Sequence, residues 1–368
     1  MKDGIDSRYF VEAVAKALEV LESFDSDEEE LTISEVGRRV GVPYSSAFRL
    51  VYTLEKRGYV MRRGGSKKYV RTPHHKRYRI GYAALGDRAL RLSQEISRGM
   101  VLAARNAGIE LIVRDNELSP QKTLANLDIL LKEGVALLIE YQLNETVAHL
   151  IAAKCHEAGT PVIAISFPQP GAYYFGGNSD LAGRLAGEFL CEFARTKWRG
   201  EVDSVLVLPA GESSTQEVRH AAIRDSLTEG LKSRPKLHVV VAPQGLTPQH
   251  GYREAGKFFR ENSSRSSRFL IAALYDGLAV GAASAAERMG LAERVVIAGQ
   301  GGASDVRRHL KRNGPLKASV AYFPEGYGER VIALALRVLA GETVPAASYT
   351  DHVVLTNANV EQYYPAMR

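Results

Sequence analysis

The sequence predicts an α/β protein in two parts: an N-terminal winged helix-turn-helix, then a larger two-lobed domain on doubly wound parallel sheets. Three observations carry this expectation. From Leu31 to Arg79, thirteen Lys/Arg stand against Glu35 and Glu55, a local charge of +11 in a chain whose total is +6. Within the first sixty residues, apolar spacing of helical period is punctuated by turn glycines. Beyond Arg79, short apolar runs alternate with helical patterns at intervals of about thirty residues, the signature of strands joined by crossover helices.

The 368 residues are enough for two or three cores, with 45% hydrophobic residues to fill them. Residues 1–30 carry three basic and ten acidic side chains, so the charge is strongly polarised along the chain. Cys155 and Cys191 form no disulfide framework or metal spacing, which fits a reducing cytosol. Neither an export signal nor a continuous apolar span stands in the sequence, so a cytoplasmic location is expected. No GxSxG, HExxH or P-loop text appears, and no nucleophile stands beside a base. Catalysis, a cofactor and a metal site are therefore not expected. Gly299-Gln-Gly-Gly302 follows a strand pattern, but Ser304 stands where a dinucleotide fingerprint needs its third glycine.

Val11, Val14, Ala15, Leu18 and Leu21 mark a first helix, and the acidic run Asp25–Glu30 interrupts it. Thr32-Ile-Ser-Glu35 has capping-box spacing, and Ile33, Val36, Gly37 and Val40 line the next helix up to Gly41. Pro43 opens a third helix with apolar face Ala47, Leu50, Val51 and Leu54, stopped by Gly58. The opposite face shows Tyr44, Ser45, Ser46 and Arg49. Residues 59–63, a Gly64-Gly65-Ser66 turn and residues 67–70 then read as a wing. From Lys56 to Gly86 no acidic residue occurs, whereas a merely solvated face would mix signs. Such a patch suits the phosphates of a duplex, where counterion release adds affinity without base reading.

In the remainder, strands are expected at Ile80–Leu85, Ile109–Val113, Ala136–Glu140, Val162–Ser166, Val205–Leu208, Val239–Ala242, Phe269–Leu274 and Val295–Ala298. Ligands of such sheets sit beyond the strands' carboxyl ends, which singles out Gly86 to Arg88, Glu140, Ser166, Asn178, Tyr275, Asp276 and Gln300. Lys76-Arg-Tyr-Arg79 runs straight into Ile80-Gly-Tyr-Ala83 with no Gly/Ser linker, making residues 78–82 a candidate lever between the two parts.

The stretch "LTISEVGRRVGVPYSSAFRLVYTLEKRGYV" from Leu31 resembles the winged helix-turn-helix of IclR-type transcription regulators. That resemblance implies base contacts from Tyr44, Ser45, Ser46 and Arg49, with Arg62, Arg63, Lys67 and Lys68 of the wing on phosphates. The wing runs on through Thr72-Pro-His-His75, longer than usual for that pattern; His74 and His75 are read as polar or phosphate contacts rather than metal ligands. Segments such as "GGNSDLAGRLAGEFL" (residues 176–190), "ESSTQEVRHAAIRDSL" (212–227) and "LYDGLAVGAASAAERMG" (274–290) resemble the type I periplasmic sugar-binding fold, also the effector domain of lac repressor family regulators. The resemblance implies domains at 1–78 and 79–368. It puts one lobe at about 79–197 and 324–350, the other at about 198–323 and 351–368.

Asn178 matches the family's Asp or Asn before the first crossover, and Arg219 its ligand-gripping arginine. Tyr275-Asp276, Gln300 and Tyr322 depart from the family's residues at their positions. Glu140, Asn178, Arg219, Tyr275, Asp276, Gln300 and Tyr322 are thus the candidate effector residues, with helix capping the competing role for Asp276. The expected partners are double-stranded operator DNA, a small and preferably carbohydrate effector, and a second copy in a homodimer. The other reading is a cytosolic solute receptor whose basic module docks RNA or an acidic protein.

Overall fold

The computed structural model describes residues 10–26, 29–63, 66–72, 78–209, 214–231, 235–239, 245–264, 266–312 and 314–365. It divides into two compact units, 1–78 and 79–368. Residues 64–65 and 73–77, with the turn glycines and His74 and His75, lie outside the described residues.

In the first unit the elements run α1 (Glu12–Glu22), β1 (Glu30–Thr32), α2 (Ile33–Val40), α3 (Tyr44–Lys56), β2 (Val60–Arg62) and β3 (Lys68–Arg71). Thr32 and Glu35 form the reciprocal cap: the Thr32 N–H donates to Glu35 Oε2 at 2.7 Å, and Thr32 Oγ1 accepts from the Glu35 N–H at 3.3 Å. Gly41 takes φ 69°, which lets α2 stop and the chain turn into α3. Val20, Leu21, Phe24, Val36, Val51, Leu54, Val60 and Tyr69 bury together. Two details differ from the sequence reading. Of the expected stripe Leu21 is buried, but Val11, Val14 and Leu18 are exposed, and Val20 and Phe24 fill the core in their place. Thr32 also ends a short strand, β1, that pairs antiparallel with β3 and makes the wing three-stranded, in the order β1-β3-β2.

The second unit begins with β4 (Arg79–Ala84), α4 (Arg91–Asn106), β5 (Glu110–Asp115), α5 (Pro120–Lys132), β6 (Leu137–Glu140), α6 (Glu145–Glu157), β7 (Val162–Ile165) and β8 (Tyr173–Gly176). It continues with α7 (Ser179–Trp198), β9 (Ser204–Leu208), α8 (Ser214–Gly230), β10 (Lys236–Val239), α9 (Pro248–Asn262), β11 (Phe269–Ala273) and α10 (Asp276–Arg288). The last elements are β12 (Val295–Gly301), α11 (Ser304–Lys311), β13 (Leu316–Ala321), α12 (Tyr327–Leu339), β14 (Ala347–Tyr349), β15 (Val353–Thr356) and α13 (Val360–Tyr363). One sheet has the order β14-β8-β7-β6-β4-β5 and is parallel throughout. The other has the order β10-β9-β11-β12-β13-β15, parallel except for β15. The expected strand at Val239–Ala242 falls earlier, at Lys236–Val239, and 240–244 lie outside the described residues.

The chain crosses between the lobes three times, after β8, after β13 and after β14. The first crossing is at Gly177–Asn178. The sequence reading carried lobe 1 to residue 197, but α7 packs on α8 and the second sheet, so all twenty of its residues belong to lobe 2. Its glycines decide this: a Cβ on Gly183 would stand 2.4 Å from the Arg219 carbonyl oxygen. Residues 79–82 belong to β4, a strand paired on both edges, with the Tyr82 hydroxyl hydrogen-bonded to Ser97 Oγ at 2.9 Å.

Candidate functional site

In the first unit, α3 presents Tyr44, Ser45, Ser46 and Arg49 to solvent, while Ala47, Val51 and Leu54 are buried behind them. The exposed face carries more than the sequence reading assigned. Tyr44, Phe48 and Tyr52 are 60%, 46% and 51% exposed, and at spacing of four they form one aromatic stripe. The Phe48 and Tyr52 rings stack 6.2 Å apart, and Lys56 Nζ sits 5.3 Å from the Tyr52 ring centre. In the wing, Arg62 Nε donates to the Ser66 carbonyl at 2.7 Å, a bond across the turn. Arg63 and Lys68 share Glu30, at 3.1 and 3.7 Å, so part of their charge is met within the module. Lys67 is exposed.

In the second unit, the candidate residues gather where the strands end. Tyr275 N-caps α10 and Asp276 opens it; with Tyr141 and Gln300 they line a narrow pocket of about 40 Å3. That volume admits a few water molecules and no pyranose. The pocket adjoins a wider recess of about 670 Å3, lined by Asn116, Ser119, Thr123, Gln142, Asn144 and Leu246. Arg219 is 4% exposed. Its Nη1 donates to the Leu274 carbonyl at 3.4 Å and its Nη2 to Ser179 Oγ at 3.2 Å, while the guanidinium lies 5.6 Å from the Tyr322 ring centre. Tyr322 donates its hydroxyl to Gln300 Oε1 at 2.8 Å, and Gln216 Nε2 donates to the Tyr275 hydroxyl at 3.5 Å.

Asp276 lines the pocket but does not cap α10, whose N-cap position is Tyr275 with no side-chain cap bond. Its Oδ1 accepts from Ser319 Oγ at 2.7 Å and its Oδ2 from the Ala303 N–H at 3.0 Å, and burial raises its carboxyl to about 7 against those bonds. Glu140 is 0% exposed and stands behind Asn116, which donates Nδ2 to Glu140 Oε1 at 2.8 Å. Burial pushes its carboxyl to about 8, and among the described residues Glu140 Oε2 has no partner. The Asn178 side chain is committed to capping: its Oδ1 accepts from the Leu181 N–H at 3.1 Å, and its position is the hinge.

Residues 93–343, more than half of the chain, match the family model of the periplasmic binding protein domain. The chain belongs to that family. Residues 13–64 match the IclR helix-turn-helix domain. Among curated relatives, the ribose import binding protein RbsB of Salmonella typhimurium is 26% identical over 255 residues, 67% of this chain and 80% of the relative. The protein of the same name from Haemophilus influenzae is 27% identical over 261 residues, 69% and 83% of the two chains. Among solved structures, a solute binding protein from Agrobacterium vitis with bound allitol has a TM-score of 0.70 at 18% identity, covering 79% of this chain and 99% of that one. One from Bacillus halodurans with bound myo-inositol has a TM-score of 0.68 at 20% identity, with the same coverage.

For a periplasmic binding protein domain the hinge matters as much as the pocket, and here two side chains organise it. His352, in the third crossing, accepts the Asn178 N–H on Nε2 at 2.9 Å and faces the Ala321 carbonyl through Nδ1 at 3.1 Å. The imidazole thus ties all three crossings together and carries its proton on Nδ1; burial holds its pKa below the ordinary histidine value, in keeping with a neutral ring. Glu95 on α4 of lobe 1 reaches α11 of lobe 2, accepting from the Ser304 N–H at 2.9 Å and pairing with Arg307 Nη2 at 2.8 Å. Arg307 also lies over the Tyr364 ring at 3.8 Å. Sequence reasoning missed Phe48, Tyr52, Tyr141, Gln216, Glu95 and His352. The spacing of Phe48 and Tyr52 along α3, and of Gln216 one turn before Arg219, was the available signal.

Among the described residues no helix is long and apolar enough to cross a membrane, and no group of His, Cys, Asp or Glu has the makings of a metal site.

Proposed function

We propose that this protein is a ligand-responsive DNA-binding transcription regulator: the winged helix holds an operator, and the two-lobed domain binds a small carbohydrate or related polar metabolite. The observation that carries this reading is the presence, in one chain, of an exposed basic recognition face and a hinged cleft lined with buried polar side chains. Ser45, Ser46 and Arg49 suit base edges. Tyr44, Phe48 and Tyr52 suit thymine methyl groups, and Arg62, Arg63, Lys67 and Lys68 suit phosphates.

The relatives named for ribose import and the solved structures with bound polyols support a hydroxyl-rich effector. Tyrosine rings can stack on a sugar face while their hydroxyls bond to it. Lobe closure would shift the spacing of two winged helices in a homodimer on paired half-sites. The effector can move that equilibrium only by its differential affinity for the two states, typically about 1–3 kcal/mol. Operator binding places the protein in the cytoplasm.

Footprinting of the purified protein on DNA upstream of its own gene, over a range of salt and with a sugar panel, tests the reading. Protection that weakens with salt and changes with one sugar is expected. Binding to RNA alone would overturn it. A flexible insertion immediately before Arg79 should uncouple the sugar response from DNA affinity. Gly81 is unsuitable for that insertion because it pairs within β4 against both β5 and β6.

A further inference from the structure

We propose that the effector is an anion, a carboxylate or phosphate carried on a polyol or sugar frame, held by the Arg219 guanidinium. The proposal rests on reading the cleft as the effector site. Arg219 is a buried cation with five N–H donors, and among the described residues they meet only neutral oxygens: the Leu274 carbonyl at 3.4 Å, Ser179 Oγ at 3.2 Å and the Tyr275 hydroxyl. Among the described residues its Nε–H has no partner. Among the described residues no carboxylate stands within ion-pair distance of it. The ionisable groups that face it are Tyr322, Tyr275, Tyr174, Tyr141, Tyr327 and His352; burial raises each phenol and lowers the imidazole, so all are neutral.

The buried carboxyls of this unit are engaged elsewhere. Asp87 accepts from Ser93 and Ser97, Glu140 from Asn116, and Asp276 from Ser319 and the Ala303 N–H. Glu140 and Asp276 are moreover held up at about 8 and about 7, which reduces the negative charge that could offset the guanidinium. The N-terminus of α7 adds to the same sign. Ser179, the first residue of that twenty-residue helix, is the hydroxyl Arg219 touches, so the positive end of the helix dipole lies at the guanidinium. Burying an ion without its counter-charge costs several kcal/mol, and proteins therefore keep such ions paired. Among the described residues the arginine and the helix N-terminus face neutral groups only, which leaves a place for one negative group that the ligand would supply. Hydroxyls alone, as on a neutral sugar, would satisfy donors but leave the charge unmet.

Thermal melting of the full chain against matched pairs tests this: D-glucose with D-gluconate and D-glucose 6-phosphate, D-ribose with D-ribose 5-phosphate, and inorganic phosphate and acetate alone. The expected result is stabilisation by a charged member and none by its neutral counterpart, the acid and the ester distinguishing carboxylate from phosphate. Equal or greater stabilisation by the neutral sugar would overturn the anion while leaving the carbohydrate reading intact. Equal stabilisation by phosphate or acetate alone would do the reverse, removing the sugar frame and keeping the anion. A second measurement needs no ligand. Arg219→Met should melt at or above the temperature of the unliganded wild type, and Arg219→Lys, which retains the charge, should show no gain. A clear fall in the Arg219→Met midpoint would mean that the cation already has its partner, and the proposal would be wrong whatever the panel shows.

Discussion

The two units handle positive charge in opposite ways. The recognition helix and wing hold their arginines and lysines in water, several of them touching nothing more demanding than a carbonyl or the shared Glu30. The cleft holds one arginine away from water, beneath tyrosines. Solvated charges are inexpensive to keep, act together, and are weakened by salt, so they suit a long polyanion. A buried charge is costly to keep and insensitive to salt, so it suits one small ligand of defined geometry. On the proposed function, the same residue type would serve additive attraction in one unit and discrimination in the other.

Four changes would break or sharpen this contrast. The largest effect belongs to Arg219→Ala, which should remove effector-induced thermal stabilisation altogether and leave effector-free DNA affinity as it was. Melting curves and gel shifts on one preparation check both halves, and a surviving thermal response would show the buried arginine to be idle. Next comes Arg49→Ala, expected to reduce operator affinity by about 1–3 kcal/mol while random DNA loses much less. Equal losses on the two DNAs would make Arg49 one more phosphate contact.

Glu140→Gln follows, and its sign depends on pH. The folded-state carboxyl lies near 8, well above its unfolded value, so the native protein retains a proton that the unfolded chain releases. Its contribution to stability is therefore lost as pH rises from about 4.5 through about 8. The glutamine variant should match wild type at pH 5 and melt higher at pH 9, and parallel melting curves across that range would contradict the assignment. The smallest effect is that of Lys67→Ala, which should flatten the logarithmic salt dependence of DNA binding by about one unit and alter sequence preference little.

The helix-turn-helix was legible because its determinants are local: a cap three residues long, a glycine at positive φ, apolar spacing within one helix. The exposed side of α1 was misread because Val11, Val14 and Leu18 carry the same period as the buried Leu21, and only packing shows that Val20 and Phe24 join it in the interior. Arg219 was legible through its motif, and its isolation was not, since that depends on where every carboxylate of the domain ends up. The hinge was unreadable for the same reason. His352 meets Asn178 across 174 residues of chain and Arg307 meets Glu95 across 212, separations over which no periodicity speaks. The end of lobe 1 was misplaced because α7 follows a lobe 1 strand in sequence yet packs against lobe 2.

The ion pair between Glu95 and Arg307 holds α4 against α11 while the pocket beside Tyr275 is too small for a sugar. If a ligand enters by parting α4 from α11, the pair must be released first, and the apparent dissociation constant would be the intrinsic one divided by the fraction already open. Each 1.4 kcal/mol by which the pair favours the closed arrangement would then raise the concentration needed for a response about tenfold. On the proposed function, the metabolite level that triggers a response would then depend on two side chains outside the pocket lining, where it could be retuned without altering what the protein recognises.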